Sequence, residues 1–334
     1  MIPARRLGLL LLVAAPGCAG PRNYLGATGG PIAGKLAGFG WVVLGVALAV
    51  VVAVTGLLVA AIARHRHEPE AGGEPRRRGR GLGWIHWGGM IIPTVILVLL
   101  FFQSLGLLEQ LAAAPRARVT IRLTSHRWWW DATYLAQDGR TLIPTANVLH
   151  IPAGEPVRLE LETADVIHSF WIPALAGKTD LVPGQHNATW IQADTPGTYG
   201  GQCGEYCGQQ HANMMLTVIA EPRAEYERWL AAEAAPAVEP AGGAAAEGAA
   251  VFAGRACAGC HTIRGTMARG RVGPDLTHLA RRPTLAAGLL ANSPANLATW
   301  IAAPQAVKPG AQMPHVPLPA DELQALLAYL QSLQ

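Results

Sequence analysis

One short segment of the chain concentrates soft metal-binding side chains. Cys203, Cys207, His211 and Met214 follow one another closely, and His168 lies in an earlier segment. Thiolates, imidazoles and a thioether together select copper over hard cations, and a mononuclear blue-copper centre uses only one cysteine. Two thiolates four residues apart in a loop can bridge two metals. The pattern therefore predicts a binuclear copper site, in which each copper takes one histidine and one weak ligand, either Met214 or a backbone carbonyl.

Two other interpretations of the cysteine pair explain fewer of the neighbouring residues. Zinc accepts cysteine and histidine, but this spacing is not that of a zinc finger and zinc gains little from methionine. A disulfide between Cys203 and Cys207 suits an oxidising compartment, yet it gives the two histidines and Met214 no purpose. Met215 is next in sequence but points the other way on a strand, so Met214 is the expected ligand.

A second motif lies further along the chain. Cys257, Cys260 and His261 form a Cys-x-x-Cys-His pentad, which is the attachment site of c-type haem: two thioether bonds and one iron-binding histidine. The predicted sixth iron ligand is Met313, in a loop rich in proline and polar residues. A thioether in that position raises the haem potential and suits electron transfer. The competing candidates are Met267, His278 and His315.

Two apolar runs precede these motifs. Residues 36–63 and 84–108 are each long enough to cross about 30 Å of hydrocarbon, which predicts a transmembrane hairpin over residues 36–108. Six arginines lie in the intervening loop 64–83, and the positive-inside rule places that loop in the cytoplasm. Both termini and everything after residue 109 are then outside. The formal net charge of +4 reflects this topology signal, and no base-stacking motif accompanies it, so nucleic acid is not an expected partner.

The first residues have the pattern of a secretory signal. Arg5 and Arg6 precede an apolar stretch, and residues 1–18 are predicted to be a signal peptide. Cys18 follows a small residue and resembles a lipoprotein cleavage site, with ordinary signal cleavage as the alternative.

The exported part divides into two domains by its periodicity. Apolar residues alternate with polar ones over 119–123, 157–161 and 216–220, which predicts a β-sandwich or Greek-key barrel over residues 109–230. Residues 231–247 have the Ala, Pro, Gly and Glu composition of a linker. Residues 248–334 end in an amphipathic helical pattern, which predicts a small all-α domain. The expected fold class is thus multidomain: a transmembrane hairpin, a β domain and an all-α domain.

Residues 37–228 resemble the CuA cupredoxin domain and membrane hairpin of cytochrome c oxidase subunit II. The copper segment carries the resemblance, with Ser125-His126-Arg127-Trp128-Trp129-Trp130 and the segment 178–184. It implies that the copper ligands are the side chains of His168, Cys203, Cys207, His211 and Met214 and the backbone carbonyl of Glu205. The Glu205 side chain is then expected to reach Mg²⁺ or Mn²⁺ at the border with subunit I. Trp128 falls where the family has the surface tryptophan that accepts electrons.

Residues 248–334 similarly resemble a class I cytochrome c. Together the two resemblances imply a subunit of a bacterial membrane oxidase, which takes electrons from an external cytochrome c or similar donor. Electrons then pass through covalent haem c and CuA to subunit I, where oxygen is reduced; subunit III is a further expected partner. The alternative is the electron-accepting subunit of a CuA-containing nitric oxide reductase.

The chain also departs from the subunit II pattern. Many members place a glutamate just before the second membrane helix, whereas residues 83–87 here contain no carboxylate, which puts a proton-uptake role in doubt. The acidic surface that usually binds a soluble cytochrome c is also thin over residues 128–140.

Overall fold

The computed structural model describes residue 26 and residues 28–65 and 79–334. The predictions for residues 1–18 and Cys18, and for most of the loop 64–83, lie outside these residues. The structure divides into two compact units. One is Gly34–Ala113, and the other holds Ala114–Gln334 together with the residues just before Gly34.

The first unit is built from long apolar helices. Helix α1 spans Pro31–His65, and a second run joins α2 (Gly79–Trp84), a π-helical segment (Ile85–Ile91) and α3 (Ile92–Ala112). The mean hydropathy of their most apolar windows is 2.9 and 2.4, and neither window is buried. Both are therefore candidate membrane spans, and both extend beyond the predicted 36–63 and 84–108.

The π-helical segment has a local cause. The N–H of Ile92 donates to the carbonyl of Trp87, five residues back instead of four. Pro93 follows directly; it has no N–H, and its ring crowds the carbonyl of the preceding turn. A local π-helical adjustment of this kind re-satisfies the backbone groups that a proline leaves unpaired in an apolar helix.

The β domain contains two five-stranded sheets. Its strands are β1 (Val119–His126), β2 (Trp129–Leu135), β3 (Thr141–Ala146), β4 (Val148–Pro152), β5 (Val157–Thr163), β6 (His168–Trp171), β7 (Thr179–Leu181), β8 (Asn187–Ile191), β9 (Gly197–Cys203) and β10 (Met215–Glu221). The strand orders are β3-β2-β1-β5-β8 and β4-β10-β9-β6-β7. Strands β1 and β5 pair in parallel, as do β4 and β10.

Alternation of buried residues confirms the predicted period of two. On β1, Ile121 and Leu123 are fully buried while the residues between them are partly exposed. Trp130 on β2 is fully buried as well. These side chains form the core that holds the strand ends, and hence the metal-binding loops, in place.

The last part of the chain is mainly helical. Its elements are α4 (Arg223–Ala234), α5 (Gly243–Gly254), α6 (Cys257–Cys260), β11 (Thr284–Leu285), β12 (Leu290–Ala291), α7 (Pro294–Ala302), α8 (Pro304–Val307) and α9 (Ala320–Ser332). Helix α5 packs closely on α9: a Cβ at Gly248 would lie only 1.9 Å from the Ala325 carbonyl oxygen, so a side chain there does not fit. Phe252, Leu326 and Leu330 are buried in the same core.

Two features differ from the sequence expectation. Within the predicted linker 231–247, the first residues complete α4 and the last begin α5, because alanine and glutamate favour helix; only residues 235–242 are irregular. The helical domain also contains the β11–β12 hairpin, whose turn uses positive φ at Ala286, Ala287 and Gly288.

Candidate copper and haem sites

Strand ends bring the predicted copper ligands together. His168 begins β6 and Cys203 ends β9, and these strands are neighbours, with Phe170 opposite Cys203. The loop after Cys203 then turns back into β10. A hydrogen bond from the Cys203 N–H to the Met214 carbonyl, 3.0 Å long, closes that loop.

All six predicted donors meet in this loop. The distances are 3.7 Å from Cys203 Sγ to His168 Nδ1, 3.2 Å from Cys203 Sγ to the Glu205 carbonyl oxygen, 3.6 Å from Cys207 Sγ to His211 Nδ1, and 3.9 Å from Cys207 Sγ to Met214 Sδ. The donor atoms of His168, Cys203 and Cys207 all lie within 4.8 Å of one another. Both cysteines are free thiols, and this donor set fits copper.

The electrostatics of the cluster favour a thiolate. The hydrogen bond between the two thiols lowers the pKa of Cys203 and raises the pKa of Cys207. The pair therefore favours a thiolate on Cys203, the form that binds metals. Burial acts to lower the pKa of His168, but hydrogen bonds with Cys203 and Asp165 raise it overall.

Asp165 fixes the orientation of the His168 ring. Its Oδ1 lies 2.8 Å from His168 Nε2, which leaves Nδ1 directed at Cys203. The carboxylate is itself held by the backbone N–H groups of Val166 and Arg127, each at 2.7 Å. A carboxylate behind a metal-binding histidine sets its tautomer and raises its basicity.

Trp128 lies directly against the copper loop. Its indole Nε1 donates a 2.9 Å hydrogen bond to the Cys207 carbonyl. The expectation of a surface tryptophan is wrong, since Trp128 is only 8% exposed. The reason is that the loop around Gly310 covers it: a Cβ at Gly310 would lie 3.2 Å from the indole Cη2.

Glu205 has a second polar group besides its carbonyl. The carboxylate is 43% exposed, and its Oε2 accepts a 2.9 Å hydrogen bond from Lys178 Nζ. The side chain is thus available at the surface beside the buried cysteine sulfurs.

The haem motif lines a mainly apolar cavity that opens to solvent. Cys257, Cys260, His261 and Met313 all border it. His261 Nδ1 lies 2.8 Å from the Pro274 carbonyl oxygen, so Nε2 is the nitrogen left for a metal. A Cβ at residue 273 would lie 2.4 Å from His261 Cε1, which only glycine avoids. These residues fit a c-type haem.

The competing sixth ligands are engaged elsewhere. His278 Nδ1 and Nε2 lie 2.7 and 3.0 Å from the carbonyl oxygens of Gln334 and Ala235. Met267 is 84% exposed, and His315 Nδ1 lies 2.8 Å from the Ala302 carbonyl oxygen. Of the four candidates, Met313 is the one that borders the cavity.

The cavity wall also includes residues of the β domain. Arg127, Trp128, Trp129 and Asn147 border it. The cavity and the copper loop both contact Trp128, an arrangement that the sequence did not predict.

Two family models match this chain, one over the β domain and the other over the helical domain. Residues 129–221 match the family model described as "Cytochrome C oxidase subunit II, periplasmic domain", and residues 245–334 match "Cytochrome c". The chain is 37% identical over 298 residues to a cytochrome c oxidase subunit 2 of Alkalihalophilus pseudofirmus, covering 85% of this chain and 84% of that protein. It is 30% identical over 267 residues to that of Bacillus sp. (strain PS3), covering 73% and 72%.

Solved structures give a partial match. The periplasmic domain of subunit II of the cytochrome oxidase of Bradyrhizobium japonicum is 30% identical, with a TM-score of 0.34. The match covers 36% of this chain and 96% of that one.

Proposed function

This chain belongs to the cytochrome c oxidase subunit 2 family, and on that premise we propose that it is the electron-accepting subunit of a bacterial haem-copper oxidase. When bound, covalent haem c and CuA supply one-electron transfer from a donor cytochrome c to the haem of subunit I, where oxygen is reduced to water. The relatives that cover most of this chain are named cytochrome c oxidase subunits, which favours oxygen over nitric oxide as the substrate of the complex.

One observation carries the proposal: two electron-transfer sites adjoin in one chain. The six copper donors gather around Cys203 and Cys207, and the cavity of the haem motif borders Trp128. The indole N–H of Trp128 in turn donates a hydrogen bond to the Cys207 carbonyl. A short chain of contacts thus joins the haem pocket to the copper ligands.

Each ligand would have a distinct role in the proposal. The two coppers would be held by the thiolates of Cys203 and Cys207, the imidazoles of His168 and His211, and the weaker donors Met214 and the Glu205 carbonyl. Haem c would be attached through Cys257 and Cys260, and its iron would be bound by His261 and Met313.

A divalent cation is also part of the proposal. The Glu205 carboxylate, now paired with Lys178, is a hard oxygen ligand of the kind that Mg²⁺ or Mn²⁺ prefers. Subunit I would supply the other ligands at the border between the subunits.

The apolar helices supply the membrane anchor. We place the β domain and the cytochrome domain, which comprises residues 245–334, on the outer face of the cell membrane. Subunits I and III are the proposed neighbours. The arginines of the loop 64–83 support this orientation through the positive-inside rule.

Electron paramagnetic resonance on the oxidised, copper-loaded chain tests the copper assignment. The expected spectrum is one unpaired electron shared by two copper nuclei. A single-copper spectrum would overturn it.

The covalent haem is tested on the denatured chain. The chain should keep its haem through chromatography and show the added mass of one haem, whereas release of free haem would exclude a covalent link.

The partner is tested by isolating the native complex. A haem-copper centre in the large subunit, with oxygen consumption driven by reduced cytochrome c, is the expected result. A haem and non-haem-iron centre would instead assign the complex to nitric oxide reduction.

A further inference from the structure

Lys308 is a buried cation at the boundary between the β domain and the cytochrome domain. It is only 3% exposed. Its Nζ donates three hydrogen bonds, each 2.8 Å long, to the carbonyl oxygens of Trp128, Asn213 and Ala286. A lysine ammonium has three N–H donors and no acceptor, so this geometry satisfies it completely. Two of the three carbonyls belong to the β domain.

The two carbonyls on the β domain are placed at the copper site. Asn213 immediately precedes the ligand Met214, and Trp128 bonds the Cys207 carbonyl through its indole. Burial lowers the pKa of Lys308 to about 8, so the ammonium form still predominates at neutral pH. The cation is thus held against the backbone of the copper loop.

Further contacts surround Lys308. Gln210 Nε2 donates to the Pro309 carbonyl at 3.0 Å, and the Met215 N–H donates to the Ala287 carbonyl at 3.0 Å. The backbones approach closely at two glycines with positive φ. A Cβ at Gly288 would lie 2.7 Å from Met215 Cβ, and one at Gly310 would lie 3.2 Å from Trp128.

These contacts argue against a freely swinging cytochrome domain. A domain on a flexible tether collides with its target repeatedly, in many orientations. Here a charged donor meets carbonyls at fixed angles, and hydrogen bonds to charged groups are stronger than neutral ones and leave a costly unpaired group when broken.

We infer that Lys308 is a positioning residue, which fastens the cytochrome domain to the copper loop so that the haem pocket and Trp128 keep one fixed arrangement. This inference deepens the proposed function and rests on it. The occupant of the Trp128 face is then the chain's own cytochrome domain, and an external donor must bind elsewhere on that domain.

The first test needs no electron transfer. In the full chain, the Lys308→Met variant keeps the length of the side chain and removes its donors. Hydrogen exchange at the Met215 amide should become about tenfold faster or more, because that amide is protected by the bond to Ala287 across the boundary. The matched control is Arg255→Met, which removes an exposed cation that pairs with Glu322 inside the cytochrome domain. It should leave Met215 exchange unchanged.

A second variant separates geometry from charge. Arginine keeps the positive charge but spreads its donors over a planar fork, which does not match three carbonyls around one nitrogen. Lys308→Arg should therefore resemble Lys308→Met. If Lys308→Arg instead restored wild-type exchange, a positive charge alone would be sufficient, and the claim that three carbonyls around one nitrogen fix the arrangement would be wrong.

The third test uses the assembled oxidase. After photoreduction of haem c in the cyanide-inhibited complex, transfer to copper should be independent of glycerol viscosity in the wild type. In Lys308→Met it should be at least about tenfold slower and viscosity-dependent, with unchanged reduction potentials of both centres. The inference is overturned if the wild-type rate falls with viscosity, an outcome that does not depend on how well any variant folds. It is also overturned if Lys308→Met transfers electrons at the wild-type rate. A wild type with no transfer from haem c to copper would instead overturn the proposed function.

Discussion

The indole of Trp128 and the backbone of Cys207 are joined by a 2.9 Å hydrogen bond. Trp128 lies in the turn just before β2, and Cys207 lies in the loop after β9, so the bond joins the ends of two sheets of the domain at the copper site. The indole also lies against the loop around Gly310, where a Cβ would be 3.2 Å from its Cη2. One side chain therefore contacts both electron-transfer sites.

Replacing Trp128 by phenylalanine should slow transfer from haem c to copper. The variant keeps an aromatic ring but loses the indole N–H, which leaves the buried Cys207 carbonyl without its donor. We expect a rate reduction on the order of tenfold, equivalent to ~1.4 kcal/mol in activation free energy. Flash photoreduction of the complex measures it, with haem and copper spectra as checks. Trp229→Phe is the matched control, because Trp229 stacks on His150 and does not border the haem cavity. Equal effects in both variants would contradict a specific role for Trp128.

Replacing Asp165 by asparagine should weaken copper binding. The carboxylate holds His168 Nε2 at 2.8 Å, and losing such a partner typically costs about 10–100-fold in metal affinity. Competition with a copper chelator, followed by copper analysis of the protein, measures the change. Asp194→Asn serves as the control, since that carboxylate is exposed and bonds Gln192. Unchanged copper affinity in Asp165→Asn would show that the ring needs no such support.

Two substitutions in the cytochrome domain should have opposite effects. Met313→Ala removes the proposed thioether ligand and should convert the haem spectrum from six-coordinate low spin to a five-coordinate or water-bound form. His278→Ala should leave that spectrum unchanged but destabilise the domain by about 1–3 kcal/mol, because the buried ring fills its site and both its nitrogens lie near carbonyl oxygens. Absorption spectra and thermal unfolding separate the two. The opposite pattern would make His278 the ligand.

Asp131 makes stability depend on pH. Burial and the carboxylate of Asp275 raise its pKa from 3.8 to about 6. A carboxyl group whose pKa is raised in the folded state stabilises the fold fully only at a pH below its unfolded-state pKa. That contribution to the free energy of unfolding is lost as the pH rises through its folded-state pKa. Asp131→Asn should therefore be more stable than the wild type above about pH 7, by up to about 3 kcal/mol since one pKa unit is ~1.4 kcal/mol.

The comparison of the Asp131 variant must be made across pH. Thermal unfolding of both proteins should show a difference that is largest above about pH 7 and vanishes near pH 4. A difference of the same size at every pH would indicate a packing effect of the substitution and not the titration of Asp131.

The local motifs were predictable from the sequence. Copper ligands such as Cys203, Cys207 and His211 recur at short spacings in one loop, and soft ligands of that kind have few other uses. The pentad ending in His261 has a similarly narrow meaning. The alternating pattern of β1 likewise predicted its buried face, since the side-chain period of a strand is fixed by the backbone.

The interdomain contacts were not predictable in this way. Lys308 and Trp128 are separated by 180 residues, and the acceptors of Lys308 are backbone carbonyls. Every residue has such a carbonyl, so no partner side chain signals the contact. For the same reason the sequence could place Trp128 beside the copper site but could not reveal that another part of the chain covers it.

The low exposure of the copper-binding thiols has a consequence for how the protein is made. Cys203 and Cys207 are only 3% and 4% exposed, and the cytochrome domain contacts the same loop at Met215. Any copper source that reaches these sulfurs directly therefore needs the loop to open. Opening on the side of Met215 would break its bond to the Ala287 carbonyl, so the contact that orders the two domains also restricts access to the thiols.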